Sequence, residues 1–234
     1  MKKRNIAIIP ARGGSKRIPQ KNIKLFLGKP IIQYSVEIAL KLKLFDEVMV
    51  STDDQKIANI AQSCGANIPF LRNKRTANDH AIIPDVIEEV LMQYKREGKA
   101  FDYFCCILPT APLLIAERIA QAFQLINKRE FDSVFPVVRF SYPIQRALKI
   151  EDGYASMIWP ENYLRRSQDL MPAFHDSGQF YLMKVDRFLK QKRIFTEKSG
   201  VIELSPLEVQ DIDSEDDWKL AELKYKMLKN EKKI

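Results

Sequence analysis

Four cations, Arg12, Lys16, Arg17 and Lys21, stand within ten residues near the start of the chain. They share the stretch from Pro10 to Asn22 with Ala11, Gly13, Gly14 and Ser15. The two glycines carry no side chain to keep an anion from backbone N–H groups, and Ser15 adds a hydroxyl donor. An arginine grips phosphate oxygens bidentately, whereas a lysine acts as a point charge. A charge run alone is an ordinary solvated face. Here Pro10 and Pro19 stiffen both ends, and the apolar run Ile6-Ala7-Ile8-Ile9 precedes it, so a phosphate-binding loop after a buried strand is the better reading. Neither G-x-x-x-x-G-K-[ST] nor G-x-G-x-x-G occurs in it, which excludes the P-loop and the dinucleotide fingerprint.

Two other clusters carry chemistry. Asp211 and Asp213 are one residue apart; on an extended backbone both point the same way, a hard-oxygen pair suited to Mg²⁺ bound with substrate phosphates. The competing reading is an acidic helix start, favoured by Glu215, Asp216 and Asp217. The segment from Arg165 to Tyr181 is dense in hydrogen-bonding side chains, with arginines that suit a carboxylate. Arg72 follows a short predicted strand and reads equally as a ligand or as an exposed loop arginine. His80 and His175 are the only histidines, and His175 falls inside the polar segment, where it reads as a binding residue.

The elements that must position these residues alternate in type. Strands are predicted at residues 6–9, 47–51, 67–71, 103–108 and 133–138. Helices are predicted at residues 30–42, from Asp53 or Asp54 to a C-terminal Gly65, after Pro84, and at 115–127. The run Tyr103 to Leu108 is continuously apolar, as a central parallel strand requires. The rhythm predicts an α/β fold with a largely parallel sheet and helices on both faces. It breaks between Phe140 and Phe174, where Glu151-Asp152-Gly153 marks a hairpin. Gly178 to Met183 reads as a strand, Ile202 lies in a stretch that could join the sheet, and Ser214 with Asp217 forms a capping box before a final helix to about Lys229.

The chain has 234 residues, 46% hydrophobic and 29% charged, enough for one α/β domain. A net charge of +8 suits an anionic ligand and would also suit nucleic acid. A non-catalytic RNA-binding protein would explain that charge but not the paired aspartates or the polar segment. Three cysteines without C-x-x-C spacing argue against zinc or a disulfide framework and for a reducing cytoplasm. Cys105 and Cys106 should face opposite sides of their strand. No stretch approaches a membrane span in length, and the basic start is followed by too short an apolar run for a signal peptide.

The first loop resembles the x-A-R-x-x-S-K-x-[IL]-x-x-K-N signature of the cytidylyltransferases that activate 2-keto-3-deoxy acidic sugars. Ala11, Arg12, Ser15, Lys16, Ile18, Lys21 and Asn22 fill every fixed place. The same family closes its domain with a D-x-D before a last helix, matched by Asp211 and Asp213. Within it, Ser167-Gln168-Asp169-Leu170 followed by Phe174-His175-Asp176 and Gly178-Gln179-Phe180-Tyr181 looks like the pseudaminic acid branch. CMP-sialic acid synthetases commonly read Q-P-T-S-P-L-R where this chain has Leu108-Pro109-Thr110-Ala111-Pro112-Leu113-Leu114.

The resemblance implies a nucleotidyltransferase, Rossmann-like single domain over residues 1–234, with a hairpin insert at about 140–170 that forms a homodimer. It implies CMP transfer from CTP to a nine-carbon acidic sugar, pseudaminic acid foremost, with CMP-sialic or CMP-legionaminic acid synthesis as the alternative. Arg12 and Lys21 would be catalytic. Ala11, Arg12, Gly13, Gly14, Ser15, Lys16, Lys21, Asn22 and Arg72 would bind CTP. Thr110, Arg166, Gln168, His175 and Gln179 would bind the sugar, and Asp211 and Asp213 would hold Mg²⁺. A sugar-1-phosphate nucleotidylyltransferase is a rival that the absence of G-x-G-[ST]-R disfavours. No nucleic acid and no membrane is expected as a partner.

Overall fold

The computed structural model describes residues 3–78 and 80–234. The strands are β1 (Asn5–Pro10), β2 (Leu25–Phe26), β3 (Lys29–Pro30), β4 (Glu47–Ser51), β5 (Tyr103–Ile107), β6 (Ser133–Arg139), β7 (Leu148–Glu151), β8 (Tyr154–Met157), β9 (Phe174–Asp176), β10 (Phe180–Lys184) and β11 (Ser199–Leu204). The helices are α1 (Ile31–Lys41), α2 (Gln55–Ser63), α3 (Lys74–Ala77), α4 (Ile83–Arg96), α5 (Ala116–Lys128), α6 (Val185–Gln191) and α7 (Glu215–Asn230).

The main sheet runs β11-β6-β10-β5-β1-β4, with β9 also paired to β6. β1 is parallel to β4 and β5, and β11 is parallel to β6. β10 is antiparallel to both β5 and β6, and β9 is antiparallel to β6. Hence β1, β4, β5, β6 and β11 all run one way, and their carboxyl ends, from Pro10 to Leu204, share one edge. Open α/β sheets bind ligands at that edge.

Side chains alternate across the strands, so each neighbour pair feeds both layers. Ala7 and Ile9 pack with Cys105 against α1, α2 and α5, while Ile6 and Ile8 pack with Cys106 against α4 and α6. The two cysteines do face opposite sides. A third cluster lies off the sheet: Ile18, Phe26, Ile31 and Tyr34 close on Ile212, Trp218 and Ala221. It fastens α7 to the first loop.

Local signals are realised closely. Asp54 caps α2, its Oδ1 accepting from the backbone N–H of Lys56 at 2.7 Å and of Ile57 at 3.1 Å. Gly65 follows α2 at φ +96°, a conformation that favours glycine. Ser214 and Asp217 form the reciprocal capping box of α7. Pro30 sits one place earlier than expected, at the N-cap of α1. The expected strand at 67–71 shrinks to one bridge between Met49 and Asn67, because Pro69 has no N–H with which to extend a ladder. The segment after Arg72 contains the single turn α3, and α6 is a helix that periodicity did not announce.

Candidate active site

The first loop leaves the sheet only after Ala11, whose N–H still donates to the Ser51 carbonyl at 2.9 Å. Ala11 is fully buried and contributes backbone alone. The Gly13 N–H donates to Asp53 Oδ1 at 3.0 Å. A Cβ on Gly13 would lie 2.9 Å from Asp54 Oδ2 and 3.0 Å from Asp54 Cβ, so a larger residue there would displace the loop or the Asp54 side chain at the start of α2. Gly14 faces open space, where a Cβ would meet nothing within 4 Å. Asn22 is buried and closes the loop on itself, its Nδ2 donating to the Arg12 carbonyl at 2.9 Å.

Behind the loop, Ile18 and Ile212 are each about 1% exposed within the third cluster. With this anchor in place, Lys21 Nζ donates to the Ile212 carbonyl at 2.6 Å and stands 3.5 Å from Asp213 Oδ1. Arg17 pairs with Asp213. Lys24 Nζ reaches Glu215 at 2.5 and 2.7 Å and lies over the Trp218 ring. Residues nearly two hundred positions apart are thereby brought to one edge of the sheet.

Arg12, Ser15, Lys16, Lys21 and Asn22 line one cavity of about 260 Å³ with Arg72 and Thr110. Ile83 and Val86 of α4, together with Leu108, give it an apolar side. Arg72 is buried rather than exposed. Its backbone N–H donates to the Thr52 carbonyl at 2.8 Å, its Nε donates to Ser51 Oγ at 3.0 Å, and its Nη2 to the Ser51 carbonyl. Burial lowers its pKa, and Asp53 and Glu89 oppose that shift. The buried Glu89 carboxylate accepts from the Asn73 N–H at 2.9 Å, from Asn73 Nδ2 at 3.0 Å, and from the Thr76 hydroxyl. It thus holds the chain just beyond Arg72. A cation fixed in this way beside an apolar wall can read the edge of a planar polar group, while the loop cations supply charge for phosphates.

Asp211 and Asp213 flank the buried Ile212, so both carboxylates stay outside the core. Among the described residues no group of three or more His, Cys, Asp or Glu is placed to hold a metal ion. A divalent ion here would draw its other ligands from substrate phosphates and water, as Mg²⁺ commonly does. Asp211 and His175 line a second cavity of about 280 Å³. The His175 ring packs against Phe140, with centroids 4.7 Å apart, and its Nδ1 lies 2.8 Å from the Asp176 carbonyl. Gln168 lines a third cavity of about 460 Å³ that shares Arg139, Phe140, Ser141 and Pro206 with the second.

Two sequence-predicted site residues are placed differently. Gln179 is 4% exposed, and its Nε2 donates to the Glu208 carbonyl at 2.5 Å. Its own carbonyl accepts from the Leu108 N–H at 2.8 Å, so it joins the β10 end to the turn before the aspartates. Arg166 is exposed and pairs with Asp169 at 2.9 Å, outside all three cavities. In the run from Leu108 to Leu114, Leu108 lines the loop cavity, while Leu114 is buried in the core and borders a separate cavity beside Tyr34 and Tyr225.

Residues 6–234 match the cytidylyltransferase family. The chain belongs to that family. It is 40% identical over 96% of its length to a pseudaminic acid cytidylyltransferase of Campylobacter jejuni subsp. jejuni, covering 97% of that protein. It is 31% identical over 94% of its length to a CMP-N,N'-diacetyllegionaminic acid synthase of Legionella pneumophila, covering 95% of it. Among solved structures, a CMP:2-keto-3-deoxy-manno-octonic acid synthetase complexed with CTP superposes with a TM-score of 0.69 at 19% identity, over 97% of this chain and 99% of that one. At that identity the likeness speaks for the fold.

In this cytidylyltransferase, several residues that shape the site were not singled out from the sequence. Asp53 tethers Gly13, Ser51 and Glu89 fix the Arg72 segment, and Arg139 stands on a wall between two cavities. Burial of Arg72 could have been suspected from its place between a strand-like apolar run and a short helix. The rest depend on contacts between distant segments.

Proposed function

We propose that the protein transfers CMP from CTP to the anomeric hydroxyl of pseudaminic acid, releasing pyrophosphate. The observation that carries this reading is a single carboxyl edge holding both halves of the reaction. The Arg12–Lys16–Lys21 cavity lies there with Arg72 for the nucleotide, and Asp211 with His175 opens the cavity beside it. The names of the relatives favour the same reaction, and two of them differ in the sugar.

In the reaction the anomeric oxygen forms a bond to the α-phosphorus and gives up its proton. The bond from that phosphorus to the β-phosphate oxygen breaks, and pyrophosphate leaves with the bonding electrons. The chain's task is positioning and charge neutralisation. Arg12 and Lys21 stabilise charge on the α-phosphate and leaving group. Lys16, Ser15 and the amides of Gly13 and Gly14 cradle the remaining phosphates, with Asn22 setting the loop shape. Arg72 reads the base. Thr110, Gln168 and His175 serve the sugar. Asp211 and Asp213 would hold Mg²⁺ as hard-oxygen ligands, Asp213 facing Arg17 and Lys21 of the loop and Asp211 lining the His175 cavity. When bound, the ion adds positive charge at the phosphates.

The reading extends to assembly. The chain works as one catalytic unit whose 140–170 excursion pairs with a second copy. Ile150, Tyr154 and Leu164 are 75%, 81% and 88% exposed there, and clustered apolar exposure of this kind marks an interface. Its setting is the cytoplasm, where CTP is made. Among the described residues no helix is long and apolar enough to cross a membrane.

The test is pyrophosphate release with CTP, Mg²⁺ and each of pseudaminic, legionaminic and N-acetylneuraminic acids. The expected result is the highest kcat/KM for pseudaminic acid. Equal values, or a preference for N-acetylneuraminic acid, would remove the sugar assignment.

A further inference from the structure

We propose that Arg139 grips the carboxylate of the acceptor sugar and so makes the enzyme demand a 2-keto acid; this rests on the acidic-sugar reading above. Arg139 is the last residue of β6, at the carboxyl edge of the sheet. Its backbone is held in place: it lies opposite Phe174 of β9, and the next N–H, of Phe140, donates to the Ala173 carbonyl at 3.0 Å. Its side chain is exposed and lines both the cavity that holds Asp211 and His175 and the larger one that holds Gln168.

Lys224, the other cation lining these two cavities, is committed. Lys224 in the Asp211 cavity donates to the carbonyls of Pro206 at 3.0 Å and Val209 at 2.6 Å, and to Gln210 Oε1 at 3.1 Å. It binds the 206–210 segment to α7 as a strut, and burial lowers its pKa. Arg166 pairs with Asp169. Arg139 makes no ion pair or side-chain hydrogen bond among the described residues. An arginine stays charged throughout the working pH range and offers a planar fork that matches a carboxylate. At a cavity wall and without a protein partner, it is set up to take a ligand carboxylate in two parallel hydrogen bonds.

The chemistry of the acceptor makes the position meaningful. In a 2-keto acid sugar the carboxyl carbon is bonded directly to the anomeric carbon. A fork that holds the carboxylate therefore fixes the attacking hydroxyl one bond further on. Asp211 lines the same cavity, and two residues later Asp213 meets Arg17 and Lys21 of the phosphate loop. Anchoring the carboxylate at Arg139 turns the anomeric hydroxyl toward that junction, and the body of the sugar extends along the shared wall toward Gln168.

The experiment is a two-by-two comparison at saturating CTP and Mg²⁺. Wild type and Arg139→Met are each given pseudaminic acid and its C1 methyl ester, with kcat/KM for the sugar and KM for CTP as readouts. Wild type should favour the acid over the ester by about 100-fold, and Arg139→Met should lose about that factor on the acid while changing little on the ester. KM for CTP should stay within about twofold. Arg139→Gln is the second variant should Arg139→Met not fold, and it should behave alike. Arg166→Met should lose less than Arg139→Met. The inference is overturned if the Arg139 variants still discriminate acid from ester as wild type does, or if Arg166→Met loses more. A wild type that converts no acidic sugar would instead sink the reading beneath it, and this inference with it.

Discussion

The first loop with α7 and the excursion from 140 to 171 lie at the same edge of the sheet and are built in opposite ways. Behind the loop, Ile18, Phe26, Ile31, Ile212 and Trp218 are all buried, and the Phe26 ring meets Tyr34, Trp218 and Tyr225 edge to face. In the excursion only Asn162 and Leu170 are buried. The loop concentrates like charges, of which Arg17 and Lys21 both meet Asp213, and an apolar anchor holds the loop and the Asp213 segment in register. The charges of the excursion balance, with Arg146, Lys149, Arg165 and Arg166 against Glu151, Asp152, Glu161 and Asp169, and its apolar side chains face outward. Rigid preorganisation belongs to the half proposed to handle phosphates, and exposed apolar surface to the half proposed to assemble.

The sharpest way to break this contrast is to remove charge without touching the anchor. Arg12→Ala should lower kcat by about 10²–10³-fold, the usual cost of one preorganised donor to developing charge. Its urea midpoint should hardly move, because the side chain lines a cavity rather than the core. Steady-state kinetics and denaturation on one preparation check both halves. Activity near wild type would make the loop a mere solvated charge run.

The converse change removes anchor without charge. Trp218 is 4% exposed and packs against Phe26 at 5.6 Å. Trp218→Ala should cost about 3–5 kcal/mol of stability by urea unfolding. It should also weaken CTP binding, because α7 carries Glu215 to Lys24 and follows directly on Asp213. Lost stability with unchanged KM for CTP would show that the loop holds its shape unaided.

How much of this could be read in advance divides along the same line. Signals confined to a few neighbouring residues were legible: the Ser214–Asp217 box, the glycine after α2, the alternation that sends Cys105 and Cys106 to opposite layers, and the Asp152–Gly153 turn. So were the loop cations, because a motif is local. Pairings across the chain were not. Nothing near Arg17 names Asp213 as its partner, and nothing near Gly13 names Asp53. Gln179 looked like a sugar ligand by position, yet the fold uses it internally. Nothing in the sequence brings Arg139 to Asp211; the sheet does, at one cavity. Short α6 buries only Phe188, too little to leave a periodic trace.

A pH test sharpens the description of the anchor. Tyr34 is buried and donates its hydroxyl proton to the Phe26 carbonyl at 2.7 Å. Burial, with Tyr225, Glu37 and Glu222 adding to it, pushes the phenol from 10.0 up to about 12. Between those values the unfolded chain loses a proton that the folded one keeps. Stability is therefore complete below pH 10 and declines as pH rises toward 12, by at most about 1.4 kcal/mol per pH unit. Tyr34→Phe should flatten that decline, at a neutral-pH cost of about 1 kcal/mol for the lost hydrogen bond. Urea unfolding at pH 8 and pH 11 separates the two effects. An identical alkaline decline in Tyr34→Phe would assign it to other groups.

The smallest effect on the fold is expected in the excursion. Its hairpin turns through Asp152 at φ 51° and Gly153 at φ 83°, the paired left-handed conformations that a two-residue connection prefers. β7 and β8 pair only with each other, away from the main sheet. Ile150→Asp combined with Tyr154→Asp leaves that turn intact and replaces side chains that touch little within one copy. Each change should cost the isolated chain no more than about 0.5 kcal/mol, and KM for CTP should hold. Two carboxylates on an apolar patch would, however, have to be buried or brought together in a dimer, so light scattering at micromolar concentration should report the mass of a single chain. A mass of two chains in the double variant would move the interface off the hairpin. A large loss of CTP binding would mean that the excursion supports the phosphate half after all, and the contrast between the two regions would fail at its softest point.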